Sequence, residues 1–108
     1  MNLLFVCSRN QWRSPTAEAI FKNSVVYTAR SAGTSDVAKV KVSVKLLDWA
    51  DIIFVMEKRH KEIIKTRFNT SKKIIVLDIP DEYQFMDTEL VQMIKSSISP
   101  YLETNAGQ

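Results

Sequence analysis

The sequence predicts an α/β fold: one three-layer domain in which a four-stranded parallel sheet carries helices on both faces. Three observations lead there. Short apolar runs of strand length recur along the chain, as in NLLFV, DIIFVM and KKIIVLD. The runs are continuous rather than alternating, as strands buried on both faces are. Stretches with helical spacing lie between them, which argues for crossover connections and hence for parallel pairing.

Residues 2–6, NLLFV, supply the first strand. SPTAEAIFKN then changes to a helical period, with Ala17, Ile20 and Phe21 on one stripe. Ser14 suits the N-cap and Pro15 the first helical position. The first unit therefore runs strand, loop, helix, with the loop at the strand's carboxyl end. SVVYTARSAG reads as a second strand closed by glycine. VAKVKVSVKLLDWA fits two patterns: its valines alternate as in a strand, whereas Val40, Ser43, Val44 and Leu47 share a helical face. The helix is the reading adopted. DIIFVM is the third strand, EKRHKEIIKTRF a helix with Ile63, Ile64 and Phe68 on one face, and KKIIVLD the fourth strand. From a capping Asp87, DTELVQMIKSSISPYL places Leu90, Met93, Ile94, Ile98 and Leu102 at helical spacing, with Pro100 expected to kink or shorten the helix.

One hundred and eight residues with 45% apolar content suit a single core, expected over residues 1–103 with a loose tail at 104–108. The 25% charged residues and only two glycines argue against disorder. No apolar run is long enough to span a bilayer, and no basic flank precedes a cleavable apolar region, so neither a membrane partner nor a signal peptide is expected. The net charge is +3, with lysines gathered in AKVKVSVK, EKRHKEIIK and TSKK, which read as solvated faces. Aromatics do not interleave with these basic residues, so nucleic acid is not an expected partner. A single cysteine excludes an internal disulfide and argues against a thiolate-rich metal site; it points to a reducing, cytoplasmic setting with no metal or cofactor.

Open α/β sheets bind ligands beyond the carboxyl ends of their strands. Cys7 and the segment Asp78–Asp81 both follow directly on strands, so they can meet on one rim. CSRNQWRS, residues 7–14, lies between a strand end and a helix start. Successive backbone N–H groups in such a loop can point inward as an anion cradle, reinforced by the positive end of the helix. Arg13 offers a planar fork that grips two oxygens of a tetrahedral oxyanion. The same surroundings stabilise a thiolate, which makes Cys7 a nucleophile facing the central atom of that anion. The departing oxygen then needs a proton. LDIPDEYQF offers Asp81 after a stiffening Pro80, with Asp78 at the strand end as the rival acid.

With these residues the chain resembles the low-molecular-weight protein tyrosine phosphatases. Cys7, Arg13 and Ser14 match that family's Cys-x5-Arg-Ser after the first strand, and Asn10 matches its loop asparagine. Pro15, Ala17 and Glu18 fit the following helix start, and Ser31-Ala32-Gly33-Thr34 matches its SAGT. Ala50 to Ile53 and Met56 resemble the third-strand segment; Ile79-Pro80-Asp81-Glu82-Tyr83 resembles the late acid motif. The resemblance implies a sheet in the order 2-1-3-4 and a phosphomonoester hydrolase acting through a phosphocysteine. Cys7 is then the nucleophile, Arg13 the oxyanion ligand, and Asp81 rather than Asp78 the general acid and later base. It implies that Ser8, Arg9, Asn10, Gln11, Trp12 and Ser14 form the phosphate loop, Ser14 bonding the sulfur and Asn10 holding the loop's shape. Tyr83 and Trp12 are then candidates to stack on an aromatic leaving group. The expected partners are a phosphotyrosine protein or a small aromatic phosphomonoester, with inorganic phosphate or vanadate as inhibitors.

Four departures set the chain apart. Arg9 stands where the family has glycine, Trp12 where it often has a second cysteine, and Glu82 where proline follows the acid. The segment between Thr34 and Trp49 is also short, which removes part of the usual substrate wall. Two other readings follow: an oxyanion-binding or phosphoprotein-binding module without catalysis, and an arsenate reductase. The second needs additional cysteines for its disulfide relay, and this chain has none.

Overall fold

The alternation of side chains along the first strand sets the layers. In the computed structural model, which describes residues 1–102, β1 (Asn2–Cys7) turns Leu3, Phe5 and Cys7 to one face and Leu4 and Val6 to the other. Both sets are buried, so β1 is central. It pairs in parallel with β2 (Thr28–Gly33) on one side and β3 (Ile52–Val55) on the other, and β4 (Ile74–Val76) completes the order β2-β1-β3-β4. This is the expected sheet.

On the first face, α1 (Arg13–Ile20) and α4 (Thr88–Leu102) cover Leu3, Phe5, Phe54 and Ile75. Leu90, Ile94, Ile98 and Leu102 form the apolar stripe of α4, four residues apart as helix geometry requires. Phe5 stacks on Phe54 with ring centroids 5.2 Å apart. On the second face, α2 (Val44–Trp49) and α3 (Lys58–Arg67) contribute Leu47 and Ile64 against Leu4, Val6, Ile53 and Val55. At roughly 1.5–3 kcal/mol for each fully buried large apolar side chain, these two layers are the main stabilising term.

Several local expectations change. The first helix begins at Arg13, with Trp12 at the cap position, so Ser14 is not its N-cap and Pro15 stands third rather than first. The Ser14 hydroxyl is engaged by the loop instead. Of 37–49, only Val44–Trp49 is helical; Ser43 caps it by accepting the Leu46 N–H, and Val37, Val40 and Val44 are exposed. Residues 40–42 instead bond to Gly33 on both sides, as the alternating pattern suggested. β2 starts only at Thr28, leaving Val25 and Val26 exposed in the connection. Asp87 does cap α4, its Oδ1 accepting the Glu89 N–H, and the helix continues past Pro100. The loose tail expected at 104–108 lies outside the described residues.

The register brings the strand ends together. Cys7 stands opposite Gly33, and Val6 opposite Val55, which in turn is opposite Val76. The loops leaving β1, β3 and β4 therefore share one rim. Gly33 is fixed by close approach: a Cβ there would lie 2.4 Å from the Ser8 carbonyl oxygen, 2.7 Å from the Ala38 Cβ and 2.9 Å from the Asn10 nitrogen.

Candidate active site

Loop 8–12 turns tightly between β1 and α1. Asn10 takes a left-handed conformation with φ 57°, which asparagine tolerates better than most residues. Its buried side chain fixes the turn, donating from Nδ2 to Ser14 Oγ at 3.0 Å and to Ser31 Oγ at 2.9 Å. Ser31 in turn donates to Glu18. The backbone N–H groups of residues 9–12 donate to no acceptor among the described residues. They stand just ahead of the α1 N-terminus, whose dipole favours negative charge.

Cys7 sits at the floor, nearly buried, with Sγ 2.9 Å from Ser14 Oγ. Because Ser14 Oγ already accepts from Asn10, its own proton is free to point at the sulfur or at the Ala32 carbonyl, 3.3 Å away. Arg13 is 2% exposed. Its Nη1 donates to Glu57 and, at 2.8 Å, to the Ile79 carbonyl. Nη2 has no acceptor among the described residues, and Nε faces Asp81 Oδ1 at 3.6 Å. The Nε–Nη2 edge is thus the one left for bidentate contact with an anion.

These groups enclose a cavity of about 320 Å³ lined by Cys7, Ser8, Arg9, Gln11, Trp12, Arg13, Arg59 and Asp81. Seven of the sequence-derived candidates meet there. Asn10 and Ser14 stand behind the wall, both buried. Tyr83 does not line the cavity: it is half-buried against the core, and its hydroxyl bonds Glu89 at 3.2 Å. Asp78, the rival acid, lines a separate surface depression with Lys58 and Lys61, whereas Asp81 lines the same cavity as Cys7.

Three residues of the segment after β3 belong to the site although the lysine-rich stretch read as a solvated face. Glu57 bridges Arg13 and Arg59, the latter through Nε at 3.1 Å and Nη2 at 3.2 Å. Hydrogen bonding from Arg59, then from Arg13, draws Glu57 down to about 2 against the cost of its partial burial. Arg59 is raised by the same pair. His60 is fully buried behind Ser8. The signal that could have found them is positional: EKRH follows a strand directly, at the same rim as Cys7 and Asp81.

The loop carrying Asp81 is tied to the rest of the site. Ile79 donates its N–H to the Met56 carbonyl and accepts from Arg13, and the Met86 N–H reaches Thr16 Oγ1 at 2.9 Å. Arg13 therefore holds the floor and the acid loop together.

Comparison with known proteins gives one family match and a set of structural matches. Residues 2–44 match the family described as low molecular weight phosphotyrosine protein phosphatase. No curated protein matches the chain significantly. Among solved structures, the YwlE arginine phosphatase from Geobacillus stearothermophilus superposes with a TM-score of 0.76 at 23% identity, covering 96% of this chain and 94% of that one. SP-PTP, a low molecular weight protein tyrosine phosphatase from Streptococcus pyogenes, gives 0.78 at 20% identity over 95% and 91% of the two chains. The tyrosine phosphatase Wzb from Escherichia coli K30, in complex with phosphate, gives 0.75 at 20% identity over 95% and 96%. The chain has their fold, and its resemblance to the phosphatase family extends in sequence across the loop and the first two strands.

Proposed function

We propose that this protein is a cysteine-dependent phosphomonoester hydrolase, a protein tyrosine phosphatase of the low-molecular-weight type. The observation that carries the reading is the convergence of Cys7, the Nε–Nη2 edge of a buried Arg13 and the Asp81 carboxyl beside it on one cavity of about 320 Å³. Cys7 attacks phosphorus in line, forming the sulfur–phosphorus bond as the ester oxygen leaves. Asp81 gives that oxygen its proton. Arg13 and the loop N–H groups bind the equatorial oxygens as charge shifts onto them. Water, losing its proton to Asp81, then releases inorganic phosphate and restores the thiolate, which Ser14 stabilises as the leaving group.

An aryl phosphate suits the cavity better than a phosphorylated guanidine. Departure of a guanidine generates a cation against the guanidinium groups of Arg9 and Arg59, whereas a phenol leaves neutral. The deciding experiment compares phosphotyrosine, phosphoserine and phosphoarginine peptides. Phosphotyrosine is expected to turn over fastest, and Cys7→Ser to abolish turnover. Asp81→Asn should slow the tyrosine peptide by roughly 10²–10⁴-fold, and p-nitrophenyl phosphate much less. Phosphate or vanadate binding with no hydrolysis by the unaltered protein would favour a non-catalytic binding module instead. Wild-type rates from Cys7→Ser would exclude the covalent route.

A further inference from the structure

The buried imidazole of His60 is engaged at both nitrogens. Its Nδ1 accepts the Glu57 backbone N–H at 3.0 Å, and its Nε2 lies 2.9 Å from Ser8 Oγ. A nitrogen that accepts carries the lone pair, so in the neutral ring the proton belongs to Nε2. Nε2 therefore donates to Ser8 Oγ, and the single hydroxyl proton of Ser8 must point elsewhere. Its side chain has no other partner among the described residues, and it lines the cavity beside Cys7 and Arg13. Burial, with Arg13 and then Arg59 nearby, lowers His60 from 6.5 to about 4, which keeps the ring neutral near pH 7.

Consecutive residues at a strand end project to opposite sides. The Cys7 sulfur accordingly turns toward α1 and Ser14, while the Ser8 hydroxyl turns toward α3 and His60. The sulfur has its own hydroxyl partner; the second hydroxyl faces the space an oxyanion would fill.

We propose that the Ser8 hydroxyl is a side-chain donor to the bound oxyanion, and that His60 is the positioning residue that aims its proton into the cavity. The inference rests on the phosphatase reading of the site. It makes the first turn of α3 a second wall of the anion cradle. One peptide N–H sets the ring, the ring sets the hydroxyl, and the hydroxyl meets the ligand. Side chain and backbone donors then act together on one anion.

The test measures inorganic phosphate and vanadate affinity by calorimetry, beside turnover and thermal unfolding, for the wild type, Ser8→Ala, His60→Gln and the double variant. Ser8→Ala is expected to weaken both anions roughly tenfold or more, as loss of a hydrogen bond to a charged acceptor does. His60→Gln is expected to weaken them in the wild-type background and to add less than twofold once Ser8 is alanine. A purely structural role for His60 would weaken binding equally in both backgrounds. Nitrogen NMR of the wild-type ring is expected to find Nε2 protonated and Nδ1 bare near neutral pH, whether or not His60→Gln folds. Anion affinity within twofold of wild type in Ser8→Ala, or a ring protonated on Nδ1, would overturn the proposal while leaving hydrolysis intact. A wild-type protein that neither binds these anions nor hydrolyses phosphomonoesters would remove the phosphatase reading as well.

Discussion

Arg13 is a full charge in a place where charge is costly, and Glu57 is what makes that tolerable. A buried guanidinium without a partner carries a desolvation penalty of several kcal/mol. Glu57 supplies the counter-charge through Nη1, while the Nε–Nη2 edge makes no hydrogen bond among the described residues and has Asp81 Oδ1 3.6 Å from Nε. Glu57→Gln should therefore lower stability by about 1–3 kcal/mol in urea titration. That is less than for a fully buried pair, because 30% of the Glu57 side chain remains in water. It should also lower kcat/KM on an aryl phosphate by roughly 10–100-fold, since Arg13 loses its anchor. Arg59→Ala should cost under about 1 kcal/mol, as expected for its exposed half of the bridge. If both variants behave alike, Glu57 does not act through Arg13. Gly33 shows the same dependence on one atom. Gly33→Ala forces a Cβ into the Ser8 carbonyl and the Asn10 nitrogen, so loop 8–12 must shift. About 1–3 kcal/mol of stability should be lost, and most of the turnover with it.

At the scale of elements, short helices depend on their ends. α2 has only six residues, and its entry is held by Ser43 Oγ accepting the Leu46 N–H at 3.2 Å. Ser43→Ala should cost about 1 kcal/mol in thermal unfolding and leave activity within twofold, because Ser43 lines no part of the cavity. A large activity loss without a stability loss would mean that α2 shapes the substrate wall. α1 works differently. Its cap position holds Trp12, which makes no side-chain cap bond, and the hydroxyl expected to cap it serves the Cys7 sulfur. Local stabilisation of the helix start has given way to the chemistry beside it. The helix read over 37–49 forms only from Val44, because most of the valines before it face water or pair by backbone with Gly33. The segment's backbone, not its side chains, makes the contact that matters, through Gly33.

The whole molecule couples this site to acid stability. His60 is lowered to about 4 by burial and by the Arg13 and Arg59 charges, and Glu57 to about 2 chiefly by Arg59. Both groups bind fewer protons folded than unfolded, so stability rises with pH across their windows. The His60 contribution is complete above about pH 6.5 and is lost as pH falls toward 4; that of Glu57 is complete above 4.5 and is lost toward 2. Urea midpoints should thus decline steadily from pH 7 to pH 4, and His60→Gln should flatten that slope. A flat wild-type profile across this interval would mean that His60 does not stay neutral when folded. No described helix is long and apolar enough to cross a bilayer.

The sequence by itself determined the sheet, its neighbours and the floor of the site. Continuous apolar strands and the loop between Cys7 and Arg13 are local patterns, readable because burial and helix-end chemistry act over a few residues. It offered both Asp81 and Asp78 around Pro80, and the fold puts only Asp81 on the cavity that Cys7 lines. What the tertiary structure alone decided is the set of contacts across the rim. Glu57 under Arg13 and His60 behind Ser8 join residues 44 and 52 positions apart. Tyr83 sits three positions after Pro80 yet packs against the core rather than the cavity. Charged and polar side chains follow no burial period, so their partners become visible only when parallel strands bring their ends to one edge.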